Sequence, residues 1–111
     1  MKNASRLEVI KVYINRLASL LGLGLFGQVE SEATRVLTLL IKQKKVASGK
    51  GDLALLQELN KIETVLHVRK GFVLSKMNRI FESLEEYQKA LELKPDDEQI
   101  KKDIIELKKK L

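Results

Sequence analysis

The single histidine, His67, stands in "HVRK" beside Arg69 and Lys70, a grouping whose charges suit a phosphate. The plainer expectation is a half-buried histidine at a helix contact. Two groups of acids, Glu85 with Glu86 and Asp96 with Asp97 and Glu98, have the chemistry of a general acid paired with a general base. Acid runs at helix starts more commonly serve as caps and solvated surface, and both groups are read that way. "GLGLFG" lacks the lysine and the preceding strand of a phosphate loop, and "SGKGD" lacks the strand and the spacing. The chain has no cysteine, which excludes disulfides, thiolate metal sites and a cysteine nucleophile. One histidine does not assemble a zinc site without further ligands of its kind. The expectation is a non-enzymatic protein with no catalytic residues, no cofactor and no metal.

Whatever function remains must come from surfaces, and the elements that carry them are helices. A chain of 111 residues is the size of one small domain, large enough for a single core. It has one proline, no tryptophan and 5% aromatic residues, so the core is built from Leu, Ile and Val. The abundance of Leu, Lys and Glu favours helix. The formal charge of +6 permits binding to nucleic acid or to an anionic surface, but the lysines and arginines are spread along every segment. "LASLLGLGLFG" follows Lys2, Arg6, Lys11 and Arg16, yet no stretch reaches the roughly 20 uninterrupted apolar residues that a bilayer requires. A cytoplasmic protein with no membrane partner is expected.

The spacing of apolar residues predicts an all-α chain of about five helices. Ser5 and Glu8 have capping-box spacing, and Leu7, Ile10, Ile14, Leu17 and Leu21 form one face ending at Gly22, Gly24 and Gly27. Leu23, Leu25 and Phe26 lie in an apolar loop, either tucked into the core or offered to a second chain. A second helix is expected from Ser31, with Ala33, Val36, Leu37, Leu40 and Ile41 inward and Lys42, Lys44 and Lys45 at its end. The loop 47–51 follows, and Asp52 caps the next segment. That segment runs from Leu53 to Met77 with Leu55, Leu59, Ile62, Leu66, Val73 and Met77 in register. Leu56, Val65, Val68 and Phe72 widen its stripe, and a break or bend near Glu63–Thr64 is expected. Asn78 tolerates positive φ and closes it. Two further helices cover about Ile80 to Leu93 and Asp97 to Lys110.

From Thr64 onward the chain reads helix, tight turn, helix, proline. Gly71 falls where two helices of a hairpin touch, Leu74 and Ile80 at large apolar positions, Ser83 and Ala90 at small ones, Tyr87 at an aromatic one. Pro95 stops the unit because it has no N–H to continue the helix. With "YQKALELKPDD" as its most specific part, this stretch resembles a tetratricopeptide repeat, a helix–turn–helix of about 34 residues that stacks on its neighbours. The resemblance covers residues 64–97, with 97–111 similar to the solvating helix that caps such arrays and 1–63 forming irregular helical hairpins of the same domain. His67 and Asn78 depart from the pattern, where a large aromatic and a glycine are usual, and no upstream repeat stands at that spacing.

The tetratricopeptide resemblance implies a protein-interaction module or adaptor that binds a peptide or helix through the inner face of the first helix, at Val65, Val68, Phe72, Ser75 and Lys76. Relatives that hold a carboxylate tail carry Lys or Arg where this chain has Val68 and Phe72, so no such clamp is implied. Leu25 and Phe26 are added as candidates for a homotypic or partner interface. A second resemblance is carried by "LALLQELNKIET" and "RKGFVLSKMNRI". These are similar to the N-terminal helical domain of transcription elongation factor S, although the tryptophan of many members is missing. Small basic ribosomal proteins are a third analogue, through "KNASR" and "GKGD". Both imply the alternative function, a basic helical protein associated with nucleic acid.

Overall fold

The structure, a computed structural model, describes the backbone of residues 2–111 and the side chains of residues 7–111. Five helices follow one another: α1 Lys2–Gly22, α2 Phe26–Gly49, α3 Leu53–Lys76, α4 Ile80–Leu93 and α5 Glu98–Lys108. No strand occurs among the described residues. Each helix packs chiefly on the next in sequence, giving a flattened body of 45 × 30 × 17 Å. The side chain of Ser5, half of the expected capping box, lies outside the described residues.

Three turns share one device. At Gly24 (φ 74), Gly51 (φ 67) and Asn78 (φ 62) the chain enters the left-handed region. In each, the next residue's N–H reaches back five residues: Leu25 to the Leu20 carbonyl, Asp52 to Ala47 and Arg79 to Leu74. These are Schellman closures, which satisfy the orphan carbonyls of the preceding helix. Asparagine serves at the third because it tolerates αL better than other side chains. Asp52 and Asp97 then cap α3 and α5, accepting from the Leu55 and Ile100 amides at 3.1 and 3.0 Å.

Three sequence expectations are corrected. α2 starts at Phe26, ahead of Ser31, and runs through Gly49, absorbing Ala47 and Ser48 from the expected loop. Burial sets these bounds: Val29 and Ala47 are fully inaccessible, and no side chain caps the start. Ile41 faces outward, because Val29, Ala33, Val36, Leu40 and Ala47 already define the buried stripe. The expected break at Glu63–Thr64 is absent. Thr64 Oγ1 donates to the Asn60 carbonyl at 2.9 Å, and α3 stays helical through this position.

α3 is the hub, which explains its wide stripe. Leu59, Ile62, Leu66 and Val73 belong to the main core with Ile10 and Leu17 of α1 and Val29, Val36 and Leu40 of α2. Val68, on another face, packs on a second cluster of Tyr87, Ala90, Ile100, Ile104 and Leu107 from α4 and α5. Between the two lies Gly71. A Cβ there would stand 2.9 Å from two Tyr87 ring carbons, and Ser83 Oγ donates to the Gly71 carbonyl at 2.6 Å. As expected from the sequence, this glycine marks the closest approach of α3 and α4.

The apolar turn after α1 divides. Phe26 packs against the main core, whereas Leu23 is 73% and Leu25 39% exposed. Leu23→Asp is therefore expected to change stability by less than about 0.5 kcal/mol. Phe26→Asp is expected to cost about 2 kcal/mol through lost apolar burial. Paired thermal melts check this contrast, and equal losses would contradict it.

Candidate functional site

α5 packs mainly on α4, so the face of α3 around Val65, near the middle of the helix, keeps part of its surface uncovered. Between that face and the α4–α5 turn lies an open groove of about 640 Å³. Its floor is aliphatic: Val65 and Val68 from α3, Leu93 from the end of α4, Ile100 from α5. Its rim is polar and holds three cations and one acid, with Gln57, Asn60, Lys61, Thr64 and Arg69 on the α3 side and Lys94 and Asp97 at the turn. Pro95 and the Asp97 cap hold the turn that forms the far wall, so the stretch that ends α4 so sharply also shapes the groove.

Of the residues singled out in the sequence, Val65 and Val68 line this groove. Phe72, Ser75 and Lys76 continue the same helix face beyond it. There Lys76 Nζ sits 5.3 Å from the Phe72 ring centroid, a cation–π distance, and Ser75 Oγ donates to the Phe72 carbonyl at 2.7 Å. Leu25 stands at the N-cap position of α2 and Phe26 is its first residue, and neither takes part in the groove. Lys61, Leu93, Lys94 and Ile100 were not singled out for a site, and Arg69 was singled out for phosphate rather than for this groove. Lys61 and Arg69 flank Val65 at one turn on either side and were legible as its helical neighbours. Leu93, Lys94 and Ile100 approach only through the turn.

The phosphate grouping comes apart. His67 is 7% exposed, with Nδ1 2.8 Å from Glu86 Oε1 and Nε2 3.2 Å from Glu63 Oε2. A carboxylate accepts only, so the ring serves both neighbours when each nitrogen carries a hydrogen. Arg69 donates to the Ile14 carbonyl at 2.9 Å, tying α3 to α1, and Lys70 Nζ lies 3.8 Å from Glu86. Lys44 completes the chain from α2, 2.7 Å from Glu63. Two carboxylates around the imidazole oppose phosphate binding there, and the buried network joins α2, α3 and α4.

Glu86 corrects a sequence reading: it is 6% exposed, unlike its exposed neighbour Glu85. Burial alone would push its carboxyl up. The hydrogen bond with His67 and the charges of Lys70, Lys89 and His67 outweigh that and hold it below the usual carboxylate range. A depressed carboxyl contributes stability that is present above its unfolded pKa and lost as pH falls through the folded one. Between about pH 5 and pH 3 the melting temperature of Glu86→Gln should fall less than that of the parent protein. Parallel falls in the two melts would contradict this.

No group of three metal-ligating side chains occurs among the described residues, and no described helix is long and apolar enough to cross a membrane. No protein-family model and no curated protein sequence matches the chain.

Proposed function

We propose that this chain is a non-enzymatic protein-interaction module, an adaptor that seats a peptide or helix of a partner in the groove between α3 and the α4–α5 turn. The observation that carries the reading is an aliphatic patch inside a polar rim, exposed at Val65, half-buried at Val68 and Leu93 and founded on the buried Ile100, the usual make-up of a recognition site. The tetratricopeptide resemblance supports the same face, since it assigns Val65 and Val68 to the inner surface. A photo-crosslinking residue at Val65, with Gln88 on the outer face of α4 as control, tests it in cell extract. Protein adducts specific to Val65 and unaffected by nuclease are expected. Equal labelling from both positions would contradict the proposal.

One observation favours the alternative of a nucleic-acid-associated protein. Lys42, Lys45 and Lys50 are exposed near the end of α2 and form no ion pair among the described residues. Binding through these lysines would weaken steeply with salt, and nuclease would remove the adducts.

A further inference from the structure

The groove has a sign as well as a shape. Three cations, Lys61, Arg69 and Lys94, face one acid, Asp97, and that acid is already engaged. Asp97 Oδ1 accepts from the Ile100 amide at 3.0 Å, and Oδ2 lies 3.7 Å from Lys94 Nζ. Lys61 is exposed and forms no ion pair among the described residues. The Lys94 side chain is 65% exposed. Arg69 gives one N–H to Ile14 and keeps others to donate. The rim therefore carries a net positive charge that no acidic side chain of the groove cancels.

The wall settles the ligand's backbone. α3 is helical without interruption from Leu53 to Lys76, so its peptide groups along the groove are bonded within the helix. An extended peptide would find no sheet edge there, and only the Gln57 and Asn60 amides to replace the water lost from its many N–H and C=O groups. A helix carries its backbone bonds with it and offers only side chains, the helix-in-groove mode of recognition.

We infer that the occupant of this groove is an amphipathic helix with acidic flanks. Its apolar residues, spaced three and four apart, rest on Val65, Val68, Leu93 and Ile100. Carboxylates on one flank face Lys61 and Arg69, which stand about two turns apart on α3, and those on the other flank face Lys94. This rests on the reading of the groove as an interaction site and adds the chemistry of the partner.

Three labelled peptides, titrated into the full chain by fluorescence anisotropy at low salt, test it. The first is a helix-favouring sequence with leucines three and four apart and glutamate flanks. The second has lysine flanks, and the third keeps the glutamates but carries a central proline. The glutamate helix is expected to bind about tenfold more tightly than the lysine helix, and the proline peptide to lose binding. The double variant Lys61→Glu, Lys94→Glu should reverse the order of the first two without altering the melt, since both side chains are exposed. If both helices bind the parent protein equally and Val65→Asp abolishes both, the interaction site stands and the acidic partner is wrong. Undiminished binding of the proline peptide would overturn the helical partner. A glutamate preference that survives the double variant would place the attraction elsewhere on the surface and overturn the inference. Failure of all three peptides to bind overturns it as well.

Discussion

Truncating Glu86 to alanine should destabilise the protein by about 3 kcal/mol, the scale of breaking a buried ion pair by removing one partner. The change leaves His67 Nδ1 facing an empty site in the interior and strips Lys70 and Lys89 of the carboxylate they flank. Glu86→Gln retains an acceptor of similar shape and should lose less. The double variant His67→Leu, Glu86→Leu removes both polar partners, so its loss should fall well below the sum of the single losses. Urea denaturation of the four proteins measures this. A loss below about 1 kcal/mol for Glu86→Ala, the range of an exposed pair, would mean that the site is open to water.

Gly71→Leu should cost about 3 kcal/mol, the upper part of the range for overpacking a filled core. The added Cβ alone would meet the Tyr87 ring at 2.9 Å and the Ser83 carbonyl at 3.3 Å, one of them backbone. Tyr87 is buried in the second core cluster, so its ring has little room to move aside. Gly27→Leu is the control, because nothing lies within 4 Å of a Cβ there. Thermal melts should separate the two clearly. Equal melting temperatures would mean that α3 and α4 are not in close contact at Gly71.

Much of the fold is legible in the sequence because local chemistry marks it. Asp52 and Asp97 are strong caps, Asn78 and Pro95 are strong punctuation, and α4 and α5 fall within two residues of their expected bounds. Gly71 was legible as a helix contact because only a glycine admits so close an approach, but the ring it meets, Tyr87, was not. What misleads is the assumption that a helix starts at its best capping residue. Ser31 offers a cap, yet α2 begins at Phe26, since seating Phe26 and Val29 in the core outweighs about 1 kcal/mol of capping. The wide stripe of α3 belongs to one continuous helix with neighbours on several sides.

The candidate site is legible only along a single helix. Val65 and Val68 follow from position on α3, and Lys61 and Arg69 were within reach by the same count. Leu93, Lys94 and Ile100 join them through the fold of the α4–α5 turn, which no helical periodicity encodes. The Glu63–His67 pair has the four-residue spacing of neighbours on a helix. Its third member, Glu86, comes from α4, and nothing in "SLEEYQ" distinguishes the buried glutamate from the exposed one.

The most direct test of the account is a methyl-labelled NMR titration of the full chain with the glutamate-flanked helix. The methyl groups of Val65, Val68, Leu93 and Ile100 should shift together and saturate along one binding curve. Those of Leu23 and Leu25 in the α1–α2 turn, and of Ile41 and Val46 beside the α2 lysines, should stay in place. Shifts confined to Leu23 and Leu25, or to Ile41 and Val46, would contradict the assignment of the groove as the interaction site.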